Sequence, residues 1–327
     1  MKKKALITGI TGQDGSYLTE LLLKKKYQVH GLVRRVALED ENHRLWRLRH
    51  LLNKITLHPA SLESYASIVK IIQKIKPTEI YHLGAQSYID YAFKDEFSTI
   101  NTNINGTHFI LSAIKDFSPN TKFYFAASSE MFGKVQQIPQ TEKTPFYPRS
   151  TYGISKVAGF DLTRNYREAY NLFCCSGILF NHESPRRGFE FVTRKITHSV
   201  ARIKFGLQKE LKLGNMEAKR DWGHAEDYVK AMWLMLNRKT PEDFVISSGK
   251  QYSVRDFAKL AFKVVNMDYK KYIKIEKNLY RPSEVRSLLG DYRKAKKKLK
   301  WKPKYNFNKL VEDMVKSDLK FVEKEGY

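Results

Sequence analysis

A doubly wound, mostly parallel α/β sheet with a smaller mixed α/β part is the fold class the sequence predicts, and three observations predict it. A short apolar strand, Ala5-Leu6-Ile7-Thr8, runs straight into a glycine-spaced loop and then into Tyr17, Leu18, Leu21 and Leu22 at helical spacing. Short strand-like runs recur at residues 29–33, 55–57, 79–83, 123–126 and 175–180, most of them separated by stretches long enough for a helix. The chain has 327 residues, about twice an ordinary domain of ~150. Strands that alternate with crossover helices stay parallel and pack back on one sheet, so both sheet faces are expected to be covered. After about residue 180 the pattern loosens, because Pro185, Gly188, Gly206, Gly214, Pro241, Gly249 and Pro282 divide the chain into shorter elements.

Composition removes several classes of protein. Hydrophobic residues make up 42% and charged residues 28%, which excludes a largely disordered chain. No run of about 18 apolar residues occurs, which excludes a membrane-spanning helix. Met1-Lys2-Lys3-Lys4 starts like a secretion signal, but the apolar run after it ends within six residues at Ile10, so no such signal is expected. The two cysteines, Cys174 and Cys175, are adjacent and lack the spacing of a disulfide framework or a zinc site, which fits a reducing, cytoplasmic setting and no metal. With 59 Lys+Arg against 34 Asp+Glu, the net charge of +25 favours phosphate-bearing partners. From Lys270 to Lys304 fourteen basic residues face only Glu276, Glu284 and Asp291. The cluster around Lys294–Lys304, with Trp301 and Tyr305, leaves nucleic-acid binding as the non-enzymatic alternative, although lysine-rich helical faces are ordinarily just solvated.

Gly9, Gly12 and Gly15 lie between the first strand and the first helix, where helix N-terminal amides can bind a pyrophosphate and small residues let the backbone approach it. Thr11, Gln13 and Asp14 share that loop and are candidate cofactor contacts. At the end of the second strand the chain reads Arg34-Arg35, where an acidic residue would bind a ribose 2′-hydroxyl and arginine accommodates a 2′-phosphate, so NADP is the expected cofactor. Glu39 and Asp40 are close enough in sequence to neutralise the same pair instead. Further on, Tyr152 and Lys156 stand four apart on one face of a predicted helix. A nearby ammonium favours the phenolate, which suits Tyr152 to accept a hydroxyl proton while hydride leaves the same carbon. On this reading residues 1–180 bind NADP and carry the catalytic groups, and residues 181–327 mainly bind substrate, with some segments returning to the first part.

Longer segments narrow the reading. They are TGITGQDGSYL from Thr8, AASSEMFGK from Ala126, TPFYPRSTYGISK from Thr144, YREAYNLF from Tyr166, ILFNHESPRRG from Ile178 followed by FVTRKI, KRDWGHAEDYV from Lys219, and RPSEV from Arg281. On these segments the chain resembles the extended short-chain dehydrogenase/reductases and, within them, the GDP-mannose 4,6-dehydratase family, over nearly its whole length. The resemblance implies a Rossmann-type fold and a redox-neutral loss of water. Tyr152 and NADP would oxidise C4 of the hexose, Glu130 would remove the C5 proton and assist departure of the C6 hydroxyl, and hydride would return to C6. Ser128, where most relatives carry threonine, would bond the sugar or Tyr152, and Lys156 would contact the nicotinamide ribose.

The same resemblance implies that Ser87 bonds the sugar and that Asn181, Lys195, Arg220 and Arg281 bind the GDP portion, with Glu284 reading guanine or ribose. Arg187 is placed for phosphate, Gly214 for substrate, and His182 for the nicotinamide. Ser61 and Leu62 would hold the adenine in place of the family's usual Gly-Asp-Leu. Relatives associate as homodimers or homotetramers, so a homo-oligomer is expected. A GDP-manno-heptose 4,6-dehydratase and a GDP-4-keto-6-deoxymannose reductase remain the enzymatic alternatives. Glu130 separates dehydration from simple ketone reduction, which has no use for a second base.

Overall fold

A computed structural model describes residues 2–280, 283 and 285–324. Its main sheet is parallel throughout and is built on β1 (Lys4–Thr8), β2 (Gln28–Val33), β3 (Thr56–Pro59), β4 (Glu79–His82), β5 (Lys122–Ser128) and β6 (Cys174–Leu179). A seventh strand, Phe244–Ile246, pairs with β6, and the spatial order is Phe244–Ile246, β6, β5, β4, β1, β2, β3. The order reverses between β1 and β4, the kind of switch point at which open α/β sheets bind ligands beyond their carboxyl ends.

Alternate residues of the strands feed two separate cores, because successive side chains of a strand point to opposite faces. Ala5, Ile7, Val29 and Tyr124 pack with helices Gln13–Lys24 and Ala225–Leu236 on one face. Leu6, Ile80, Phe123, Phe125 and Ile178 pack on the other face with helices Tyr65–Ile75, Gly106–Phe117 and Thr151–Tyr170. In helix Tyr65–Ile75 the buried residues are Ile68, Ile71, Ile72 and Ile75, a spacing that draws one continuous apolar stripe. Each fully buried isoleucine contributes about 1.5–3 kcal/mol relative to an exposed one. A third, smaller core joins helices Val192–Lys204, Val254–Val264 and Phe307–Lys324.

Three sequence expectations change. The second strand stops at Val33, so Arg34 caps a short helix, Arg35–Glu39, and Arg35 lies inside it. Phe244–Ile246 was not foreseen, since three apolar residues are too few for a periodicity to register. Trp301 is 1% exposed and its indole donates to the Asp227 carbonyl (2.8 Å), while Tyr305 stacks on His224 at 3.9 Å. Trp301 therefore offers no face to a nucleotide base, one face of Tyr305 is taken by His224, and Lys294 and Lys298 pair with Glu242 (3.4 and 2.5 Å), so the nucleic-acid alternative loses its main stacking group. Among the described residues no helix is long and apolar enough to cross a membrane.

Candidate active site

The glycine loop is shaped by close approaches that a side chain would block. Gly9 has φ +71°, and a Cβ there would stand 2.7 Å from the Gly84 nitrogen. A Cβ on Gly15 would stand 2.4 Å from the Gly9 carbonyl. Both conditions demand glycine, and the missing side chains at these two positions bring the backbone around the start of helix Gln13–Lys24 within close reach of a ligand, a cradle suited to an anion. A directed hydrogen-bond chain fixes the strand beneath. The Gly84 amide donates to Thr8 Oγ1 (3.0 Å), which leaves the Thr8 hydroxyl proton for His82 Nδ1 (2.7 Å). Thr107 spends its own proton on the Asn103 carbonyl (2.7 Å) and therefore accepts from His82 Nε2 (3.1 Å). His82 is thus the neutral Nε2–H tautomer, and burial pushes its pKa down to about 3, with Lys156 acting in the same direction.

Ser128 ends β5, and its Oγ accepts the Glu130 amide (3.2 Å), turning the chain into the short helical turn Ser129–Met131 that carries Glu130. Opposite it, Ser150 caps helix Thr151–Tyr170 by accepting the Gly153 amide (3.0 Å). Gly153 is needed at that point, because a Cβ would stand 2.8 Å from the Glu130 carbonyl oxygen. The Asn103 amide donates to Ser155 Oγ (2.9 Å), whose hydroxyl donates to the Tyr152 carbonyl (2.8 Å), so helix Thr151–Tyr170 is tied to the turn just before helix Gly106–Phe117. Ser128, Glu130, Tyr152 and Lys156 all line one cleft of about 330 Å³. Lys156 Nζ donates to the Ala126 carbonyl (2.8 Å) and lies 5.8 Å from the centre of the Tyr152 ring. Here the electrostatics differ from the sequence expectation. Burial pushes the Tyr152 phenol up to about 12, with the Glu130 charge acting in the same direction and a hydrogen bond from Ser128 acting against both. Burial likewise pushes Lys156 down to about 7. Burial is the leading cause of both shifts, and the Lys156 charge is not among the influences on the phenol.

Below pH ~7 the native state buries the Lys156 ammonium, and the full cost of doing so falls on stability. As pH rises from ~7 toward the ordinary 10.5, the native lysine is neutral while the unfolded chain still binds the proton, so that cost fades. Thermal melts of Lys156→Met are expected to exceed wild type by a margin that is largest at pH 6 and shrinks toward pH 10; a margin independent of pH would refute the assignment.

The segment after β6 crosses the mouth of the glycine loop. His182 Nε2 meets Asp14 Oδ2 at 2.7 Å, its Nδ1 meets the Phe180 carbonyl at 2.8 Å, and its ring stacks on Tyr228 at 4.4 Å. Burial opposes both charges, yet the ion pair prevails: Asp14 is held below its ordinary value and His182 above it. Gln13 donates to the His182 carbonyl (3.1 Å) and accepts from Ser184 Oγ (2.7 Å). Arg47 donates to the carbonyls of Arg186 (2.7 Å) and Thr11 (3.3 Å). Loop and segment are therefore one structural unit.

Most of the expected substrate residues share the cleft. Ser87, Asn181, Arg187, Lys195, Gly214 and Arg220 line it together with the four catalytic candidates. The buried Asn181 Oδ1 has no hydrogen-bond partner among the described residues, an orphaned acceptor on a residue that lines the cleft. Arg187 lies over the Phe191 ring at 3.5 Å, with Nε 3.0 Å from Glu183 Oε2. Burial holds Lys195 below its ordinary value although Glu276 and Asp90 pull the other way. A Cβ on Gly214 would stand 2.5 Å from the Leu279 carbonyl, so glycine lets the 277–280 segment close on this wall. Arg220 is nearly buried and donates to the Val285 carbonyl (2.7 Å). Arg281 and Glu284 lie outside the described residues. Leu62 sits against Gly84 and Gly106 beside the loop, with Ser61 next to it, while Arg34 and Arg35 stand exposed beyond β2 and Arg35 pairs with Glu39 at 2.9 Å.

Residues 6–314 match the family model described as GDP-mannose 4,6 dehydratase. The chain belongs to that family. It is 47% identical to GDP-mannose 4,6 dehydratase 2 of Caenorhabditis elegans, with 98% of this chain and 90% of the relative covered. It is also 47% identical to the Homo sapiens GDP-mannose 4,6 dehydratase, with 97% and 92% covered. Among solved structures, the fold is shared with DesIV, a dTDP-glucose 4,6-dehydratase from Streptomyces venezuelae crystallised with NAD and TYD bound, at TM-score 0.87 and 19% identity, covering 99% of this chain and 98% of that one.

As a member of the GDP-mannose 4,6-dehydratase family the chain also brings to its cleft Tyr88, Asp90, Glu190 and Asn215, none of which the sequence reading named. Each is within three residues of one that was named, Ser87, Arg187 or Gly214, and that adjacency was the available signal. Arg47 had no such signal, since its partners are 36 and 139 residues away.

Proposed function

We propose that this protein is an NADP-dependent GDP-mannose 4,6-dehydratase that forms GDP-4-keto-6-deoxy-mannose, with residues 1–180 holding the cofactor and residues 181–327 mainly the sugar nucleotide. The observation that carries the reading is that Glu130 and Tyr152 line the same cleft closely enough for the Glu130 charge to act on the phenol. A ketone reductase needs the tyrosine alone, whereas dehydration needs a second base beside it. The glycine cradle fits a pyrophosphate, and Arg34, exposed just past β2, favours a 2′-phosphate and hence NADP. The buried, free Cys174 and Cys175 agree with a reducing, cytoplasmic setting.

When bound, the nicotinamide supplies the acceptor for the C4 hydrogen and returns that hydrogen to C6. Tyr152 accepts the C4 hydroxyl proton, helped by the hydrogen bond from Ser128 and by the Arg187 charge, both of which lower its pKa against burial. The resulting 4-ketone acidifies C5. Glu130 then removes the C5 proton and delivers a proton to the C6 oxygen, which leaves as water. After hydride addition at C6, a proton returned to C5 completes a sequence whose net change is the loss of one water. Arg187, Lys195 and Arg220 supply positive charge for the diphosphate, the guanidinium forks suiting paired bonds to its oxygens.

Incubation with GDP-mannose and a catalytic quantity of NADP in deuterated water is expected to give a product lighter by one water and labelled at C5. A parallel reaction with GDP-manno-heptose ranks the two sugars. No water loss and no label at C5 in these reactions, together with stoichiometric NADPH consumption when GDP-4-keto-6-deoxy-mannose and NADPH are supplied, points instead to a reductase.

A further inference from the structure

Arg194 and Asp318 form a buried ion pair that the chemistry above does not use, being 2% and 0% exposed at the side chain. Arg194 lies in helix Val192–Lys204, and Asp318 lies in helix Phe307–Lys324. Arg194 Nε donates to Asp318 Oδ1 (2.8 Å), with Nη2 2.7 Å from the same oxygen. Thr197 Oγ1 donates to Asp318 Oδ2 (2.6 Å). The remaining arm of the fork, Nη1, turns away from the carboxylate and donates to the Pro185 carbonyl and to the Arg187 carbonyl (3.3 Å). Those carbonyls bracket Arg186, so a single guanidinium clasps both ends of the tripeptide whose last residue aims its side chain at the cleft. The Phe189 ring covers the guanidinium at 4.5 Å.

We infer that Arg194 and Asp318 are positioning residues: they hold the Pro185–Arg187 backbone so that the Arg187 guanidinium meets the diphosphate of the sugar nucleotide. The physical argument is a comparison of costs. Two charges taken out of water are stabilised poorly by their mutual attraction, and well-packed apolar residues of similar volume commonly replace such a pair without loss of stability. An apolar pair cannot reproduce directed bonds to two carbonyl oxygens. Asp318 fixes the rotation of the guanidinium, and the guanidinium fixes the segment. The C-terminal helix in this way reaches a substrate contact through buried groups alone. The geometry stands by itself; only the identity of the ligand at Arg187 rests on the dehydratase reading.

The test uses the full chain carrying Arg194→Met with Asp318→Leu, and separately Arg194→Lys, which keeps charge but loses the fork. The double variant is expected to melt no lower than wild type, yet KM for GDP-mannose rises about tenfold while kcat stays within about threefold. Hydrogen exchange supplies a readout free of substrate. The Arg186 and Arg187 amides donate to Ser184 Oγ and to the Ser184 carbonyl, both at 3.0 Å, and are expected to exchange about tenfold faster in both variants. Unchanged exchange at these two amides in either folded variant overturns the inference. So does a double variant whose higher KM is matched by an equal fall in kcat and in melting temperature, the pattern of a merely structural pair. A wild-type enzyme without turnover overturns the dehydratase reading and leaves the exchange result to decide the positioning role.

Discussion

Replacing Glu130 by glutamine is expected to stop water loss from GDP-mannose while leaving the first oxidation in place. The amide keeps the volume and the backbone bond from Glu130 to Ser128, so the turn that carries it is preserved. What disappears is the capacity to take the C5 proton and protonate the departing oxygen, an acid–base contribution typically worth 10²–10⁴ in rate. Because oxidation at C4 precedes that step, reduced nicotinamide accumulates, and its near-ultraviolet absorbance becomes visible in a reaction that normally hides it. The sign of a second effect is also fixed. The Glu130 charge raises the Tyr152 pKa, so its removal shifts the pH profile of the oxidation toward lower pH. Undiminished release of dehydrated product from this variant would falsify the role given to Glu130.

Tyr152→Phe is the complementary case. The ring is nearly buried and phenylalanine fills the same space, so folding and ligand binding are expected to persist. Removing the hydroxyl takes away the acceptor for the C4 proton, and the oxidation is expected to slow by about 10²–10⁴. No reduced nicotinamide builds up, in contrast to the glutamine variant. Rapid mixing of enzyme, NADP and GDP-mannose separates the two: an absorbance rise at the wild-type rate in Tyr152→Phe removes the tyrosine from proton transfer.

The parts of the site legible in the sequence are those made by neighbours in the chain. Gly9 and Gly15 announce themselves because one strand-to-helix turn needs both, and Tyr152 with Lys156 follows from helical spacing. The environment of these residues was not legible. Lys156 turns to the carbonyl of Ala126, thirty residues away, and the dryness that shifts it and Tyr152 comes from how distant segments close over the pocket. The Asp14–His182 pair joins positions 168 apart and has no local pattern at all. Six strands of the main sheet were readable from short apolar runs between helical stretches, while Phe244–Ile246 gains its strand character only by lying against β6. Trp301 looked available for stacking beside so many lysines, yet burial of a large ring decided its place.

The seventh strand also bears on how the polypeptide must be made. β6 is buried along its whole length, and the Gly177–Leu179 part of its outer edge is paired only when residues 244–246 arrive, with helix Ala225–Leu236 sealing one face of the sheet. A fragment cut near residue 180, or a nascent chain paused there on the ribosome, presents an apolar strand with unpaired amides and carbonyls, which is a template for association with other chains. A fragment ending near residue 180 is therefore expected to associate with other chains through that edge.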